Sequence, residues 1–185
     1  MRVLVVCEDP TYDQFIVKPV VEEILASLEK PRARVEVLRD PHLRGIDNVL
    51  AELPGIVADN STMVDLFVVI VDRDCDRKGN SRRIETSIAE QAKTVACLAI
   101  EEVETWMLCL HRADLSVDWS SLRGDCDVKE HHALPFLQRS GFGGPGRGRK
   151  TAMSRLRQEW RSLLQFCPEV RELCDRIVAV SKQVL

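Results

Sequence analysis

Four short apolar runs, separated each time by a helical pattern, set the main constraint on this chain. "RVLVVC" (Arg2 to Cys7), "ARVEVL" (Ala33 to Leu38), "DLFVVIV" (Asp65 to Val71) and "TVACLAI" (Thr94 to Ile100) are rich in β-branched residues. Most lack the polar alternation of a half-exposed strand, so they read as strands buried on both faces. Between them lie "QFIVKPVVEEILASLEK", "RGIDNVLAELPGIVAD" and "SRRIETSIAEQAK", whose apolar residues recur at helical spacing. Strand and helix in strict alternation make βαβ units. The expectation is an α/β, Rossmann-like fold: a mainly parallel four-stranded sheet flanked by helices. Pro19 should kink or restart the first helix, and Ser81 stands where an N-cap of the third belongs.

After Ile100 the pattern changes. "EEVETWMLCLHRADL" reads as a helix with Val103, Trp106, Met107 and Leu110 on one side. Residues 116–130 are polar and weakly patterned, as in an exposed loop. "GFGGPGRGRK" holds five glycines and a proline in ten residues, too flexible for a regular element. The remainder reads as two helices joined near Pro168. The division expected is an α/β core over 1–112 and a loop plus basic C-terminal helical extension over 113–185, packed together as one unit.

With 185 residues, 45% of them hydrophobic, the chain can bury one good core. Its net charge of -3 does not by itself mark a binder of polyanions. The N-terminal apolar run is too short for a secretory leader, and no stretch has the length of a membrane span. A cytoplasmic protein without membrane contact is expected. The seven cysteines form an odd set without a CxxC pair, and they read as reduced packing thiols. Cys126, His131 and His132 match no standard zinc spacing and lack a fourth ligand.

The third strand pattern runs straight into acid: "VVIVDRDCD" places Asp72, Asp74 and Asp76 at alternate positions, and the first ends in "CED", with Glu8 and Asp9. In an open parallel sheet, functional groups gather at the carboxyl ends of strands, where the strand order reverses. If these strands are neighbours, Glu8 faces Asp72 and Asp74 across a crevice. Extended backbone would put Asp72, Asp74 and Asp76 on one side, with Arg73 pointing away. Carboxylates so crowded repel one another unless something positive sits among them. An oxygen-only set suits Mg²⁺ or Mn²⁺. A lone DxD has a high background, since acids at strand ends often cap a helix or face water. The coincidence of two acidic strand ends carries the reading, and Asp76 joins the ligand set on spacing alone.

A second asymmetry lies near the C-terminus. From Arg139 to Arg161 there are seven basic residues against one acid, Glu159. A glycine-rich loop entering a helix with Arg147, Arg149 and Lys150 at the junction, and Arg155 beyond, is a candidate phosphate clamp for nucleic acid. The spacing is not that of a Walker A loop.

Taken in order, these motifs resemble a family. "VLVVCEDPTYDQFIVKPVVEEIL" followed by "VVIVDRDCD" resembles the Toprim domain of topoisomerases, primases and OLD-family nucleases, marked by a glutamate after the first strand and a DxD after the third. "ETW" (Glu104 to Trp106) and "GRKTAMSRL", with Lys150, stand where small stand-alone bacterial Toprim-like proteins carry a Glu-x-Trp motif and a late lysine. The resemblance spans nearly the whole chain through four short motifs. It implies a Mg²⁺-dependent nuclease with Glu8 as ligand or general acid/base, Asp72 and Asp74 as ligands, Glu104 as ligand to a second metal, and Lys150 as a catalytic cation. It also implies an ATPase partner protein and a role in phage defence. The family's glycine after the glutamate is Asp9 here, and a later acid is Tyr12, with Asp13 beside it. Three alternatives stay open. The chain could bind nucleic acid or a partner without cutting, or be a receiver-like domain with Asp72 as phosphoacceptor. A haloacid-dehalogenase-type phosphatase fits less well, because its DxD normally ends the first strand. Apart from the resemblance, Glu104 reads as part of a solvated helix face with Glu101 and Glu102, and Trp106 as core.

Overall fold

The computed structural model describes residues 1–76 and 79–181, apart from the side chain of Asp76. The four apolar runs form β1 (Arg2–Cys7), β2 (Arg34–Val37), β3 (Leu66–Asp72) and β4 (Thr94–Ala99). They make one sheet in the order β2-β1-β3-β4, and every pairing is parallel. β1 lies at its centre, with Val5 opposite Val37 on one side and Val68 on the other. The order reverses between β1 and β3, because β2 was added on one flank and β4 on the other.

Alternate strand residues feed two apolar clusters. Val3, Val5, Cys7, Leu66, Val68 and Ile70 face α1 (Gln14–Ser27), while Leu4, Val6, Phe67, Val69 and Val71 face α2 (Gly45–Asn60) and Ile84 of α3 (Asn80–Ala89). Residues Leu66 to Val71 are all 1% exposed or less, which explains their unbroken apolar sequence. Each such side chain contributes about 1.5–3 kcal/mol by leaving water. This is the α/β architecture expected, with a C-terminal helical extension.

The first cluster continues through α4 (Glu104–Cys109) into that extension, which comprises α5 (Trp119–Arg123), α6 (Leu134–Arg139), α7 (Arg149–Ala152), α8 (Trp160–Phe166) and α9 (Pro168–Ser181). Helix α9 lies against β4: Arg176 donates to the Ala96 carbonyl at 2.9 Å, and the Cys97 thiol meets the Glu169 carbonyl at 3.5 Å. The junction at Pro168 is where the sequence puts it.

Local expectations differ from the structure in several places. Helix α1 runs through Pro19 without a fresh start, held by six buried residues from Ile16 to Leu25. Ser81 lies inside α3, which is preceded by Gly79 in the left-handed region (φ 64°). The "EEVETWMLCL" segment is a short helix buried on every side, including Glu104 and Thr105. The polar stretch 116–130 contains α5, capped by Asp118, and buries Leu122 and Val128 completely. The cysteines are not all free. Cys75 and Cys126 are joined in a disulfide with a Cα–Cα distance of 5.6 Å. The fold crosses the segment containing Cys126 over the exit of β3, a contact between residues 51 apart in sequence. Cys7, Cys97, Cys109 and Cys167 are free and buried, and Cys174 is free and half-buried.

Candidate metal centre

The reversal of strand order brings Glu8 and Asp72 together. Glu8 Oε1 accepts the Asp72 N–H at 2.8 Å, and the Ile46 N–H at the start of α2 also donates to this carboxylate. Gly45, at φ 74°, supplies the left-handed residue from which α2 begins beside it. Asp72 Oδ1 accepts the Val103 N–H at 2.9 Å, just ahead of α4. Each carboxylate therefore meets backbone donors at the start of a helix.

Such capping favours the charged form of an acid, yet here burial wins. Burial raises Glu8 to about 7, against the lowering effect of the Asp72 N–H, and the Asp74 charge adds to the rise. Asp72 is held well above the usual carboxylate range by burial, then by Asp13 and Glu104. Asp13, 5% exposed and accepting the Asp9 N–H at 3.1 Å, is raised to about 8 by burial, Glu104 and Asp9. Glu102 is raised to about 7 by burial, partly offset by the Lys129 N–H that it accepts. These acids sense one another and form a single electrostatic unit.

Glu104 is not a solvated surface acid: it is 1% exposed. Its Oε1 takes Nη2 and Nε of Arg149 at 2.6 and 3.2 Å. Arg149, grouped in the sequence with surface cations, is itself 1% exposed and neutralises Glu104 inside the protein. Burial pulls Lys129 down, but Glu104 and Asp13 outweigh it and hold the ammonium above its ordinary range. Among the described residues, the acids that interact here (Glu8, Asp13, Asp72, Glu102 and Glu104) exceed the cations beside them, Lys129 and Arg149. Asp13, Glu102 and Lys129 were not named as site residues in the sequence. Asp13 had a signal in its position beside Tyr12, where the Toprim resemblance leads one to expect an acid. Lys129 had none, because it sits in a stretch that reads as exposed loop.

The DxD segment does not continue as extended chain. Asp74 and Cys75 have φ of 49° and 54°, and residues 74–76 form a 3₁₀ turn, so the expected alternation ends at Asp72. Asp74 is exposed at the rim and acts on Glu8 through its charge. Arg73 pairs with buried Glu101. The side chain of Asp76 lies outside the described residues.

The basic residues do not share one surface. Arg147 is exposed over the Tyr12 ring at 5.1 Å. Lys150 is exposed in a groove with Gln14, Phe15, Lys18 and Arg39, on the β2 side of the crevice. Arg155 binds Asp114 at 2.7 Å. Trp106 is core, its indole N–H bonded to Glu169, which also holds Arg123 through two bonds.

No known family, curated protein or solved structure matches the chain.

The donor set fits a hard divalent cation: oxygen ligands only, with charges that burial penalises. It is not a closed cage. Among the described residues, trios of ligand atoms within 4.8 Å of one another occur at Cys75–Glu101–Cys126 and at Asp125–Asp127–His131, and Glu8, Asp72 and Asp74 are spread more widely. Mg²⁺ commonly takes one or two carboxylates and keeps several waters, which suits such an open arrangement. The zinc grouping considered for Cys126, His131 and His132 does not form. Both histidines bond Asp125, at 2.9 and 3.0 Å, and Cys126 is tied to Cys75.

Proposed function

We propose that this chain is a Mg²⁺- or Mn²⁺-dependent phosphodiesterase acting on nucleic acid, a Toprim-like nuclease. The observation that carries the reading is the meeting of Glu8 and Asp72 at the reversal of strand order, within a group of acids whose ionisation burial opposes. Glu8, Asp72 and Asp74 would hold the ion. When bound, it polarises a phosphate and lowers the pKa of a bound water. Where Glu8 is not itself a ligand, its carboxyl, raised to about 7 by burial, would exchange a proton at neutral pH and serve as general acid or base. The Lys129 ammonium, which interacts with Glu104, Asp13 and Glu102, would offset charge on a bound phosphate. Lys150 and Arg147, both exposed, hold neighbouring phosphates of the strand. An ATPase partner and a place in phage defence belong to the same reading, through the resemblance.

A second reading is favoured by the Glu104–Arg149 pair. It engages a family acid internally and suits a protein that binds nucleic acid without cutting it.

The test is calorimetric titration of Mg²⁺ and Mn²⁺ into wild type, Asp72→Ala and Glu8→Gln, with a nuclease assay on the same samples. Binding and cutting that both vanish in the variants support the enzyme. Binding without cutting in wild type supports the second reading. A wild type that binds neither cation overturns both the metal centre and the nuclease.

A further inference from the structure

We propose that Cys75 and Cys126 are a reversible thiol–disulfide site that clamps the turn carrying Asp74 to the segment carrying Lys129. The bridge starts one residue after Asp74 and ends three before Lys129. It therefore spans the rim of the acidic crevice, tying an acid that acts on Glu8 to a cation that acts on Glu104 and Asp13.

Three observations point to a clamp. The turn needs one, since Asp74 and Cys75 both sit in the left-handed region, which a residue with a Cβ keeps only where its surroundings impose it. Among the described residues, the non-covalent ties to Asp74 and Cys75 come from one buried residue, Glu101, while Arg73 is held as well by the Ala99 carbonyl at 3.0 Å and by Asn80 Nδ2 at 3.2 Å. The Glu101 carbonyl accepts the Arg73 N–H at 3.1 Å and the Asp74 N–H at 3.4 Å, and its carboxylate accepts the Cys75 N–H at 2.6 Å and pairs with Arg73. The disulfide adds the covalent tie to a second segment. Finally, Cys75 and Cys126 are half-buried and open to exchange, whereas Cys7, Cys97, Cys109 and Cys167 are each 4% exposed or less.

Opening the clamp breaks one S–S bond and makes two thiols. Two electrons and two protons come from a dithiol reductant, which leaves as its own disulfide. The freed turn then relaxes toward ordinary backbone angles, and Asp74 leaves its place beside Glu8. Any effect on cation affinity rests on the metal reading above; the clamp does not.

Thiol titration of the denatured chain, purified without reductant, should find five of seven cysteines free, and all seven after reduction. Hydrogen exchange at the Asp74 and Cys75 amides should then quicken by about tenfold or more in the reduced chain and in Cys126→Ser, with the Val20 and Val21 amides unchanged. Seven free thiols without reduction, or equal exchange in both redox forms, overturns the clamp. On the same samples Mn²⁺ should bind about threefold or more weakly after reduction. Equal Mn²⁺ affinity in the two forms overturns the link between clamp and site. No Mn²⁺ binding in either form is the failure of the metal reading, with the clamp still decided by exchange.

Discussion

Glu8, Asp13 and Glu102 are acids that the fold makes hard to ionise. Their unfolded values lie near the model-peptide range of about 4–4.5, while folded values are about 7, 8 and 7. Between those limits the native chain binds more protons than the unfolded one, so its stability falls as pH rises through that window. A divalent cation would replace the protons. We expect the metal-free Tm to drop by about 5 °C or more from about pH 5.5 to about pH 8.5, and saturating Mg²⁺ to recover most of it. Scanning calorimetry checks this, and a Tm indifferent to both pH and Mg²⁺ would contradict it. At Glu104 the cost is held down by Arg149 instead. Arg149→Met should destabilise the chain by about 3–5 kcal/mol in urea unfolding, and adding Glu104→Gln should restore much of it, since a neutral pair carries no stranded charge. Glu8, Asp72 and Asp74 were legible as strand-end acids. Arg149 was not legible as a buried partner, because a glycine-rich, basic stretch has the composition of a surface loop.

β1, β3 and β4 were legible within about two residues because burial on both faces leaves a nearly unbroken apolar run, a signal that needs no knowledge of neighbours, while β2 showed itself by alternation, with Arg34 and Glu36 exposed. The extension was harder to read. Residues 116–130 keep Leu122 and Val128 fully buried and Val117 and Trp119 partly so, at spacings among polar residues that establish no period. The turn after β3 was illegible because its left-handed residues are Asp74 and Cys75, with no glycine to announce them. In the glycine-rich loop the reverse holds. Gly148 has φ 92°, and a Cβ there would lie 2.4 Å from the Phe142 carbonyl oxygen. Gly148→Ala should cost about 2 kcal/mol or more. Gly143→Ala, with nothing within 4 Å, should change stability by no more than about 0.5 kcal/mol. Equal costs in chemical denaturation would mean that the loop does not fix the entry to α7.

At the scale of the whole molecule, the sequence indicated an open parallel sheet and a functional edge. It could not rank the cations around that edge, because Lys129 reaches the crevice only through the path of the chain after β4. Among the described residues no helix is long and apolar enough to cross a membrane. If Lys150 in its groove and Arg147 over Tyr12 both contact a nucleic-acid strand, Lys150→Ala and Arg147→Ala should each weaken binding and lower the slope of log affinity against log salt by about 1. Fluorescence anisotropy across a salt series measures this, and unchanged slopes would remove the groove from the interface.

The covering of β4 by α9 also governs when the chain can fold during synthesis. β4 ends at Ala99, but the helix that lies on it begins at Pro168. At roughly 5–20 residues per second the ribosome needs several seconds to make the stretch between them. Throughout that interval Val95 and Cys97 lack part of their native cover, and the growing chain carries an apolar patch into a crowded solution. Folding of this face therefore has to wait for α9, well after the four strands themselves have been made.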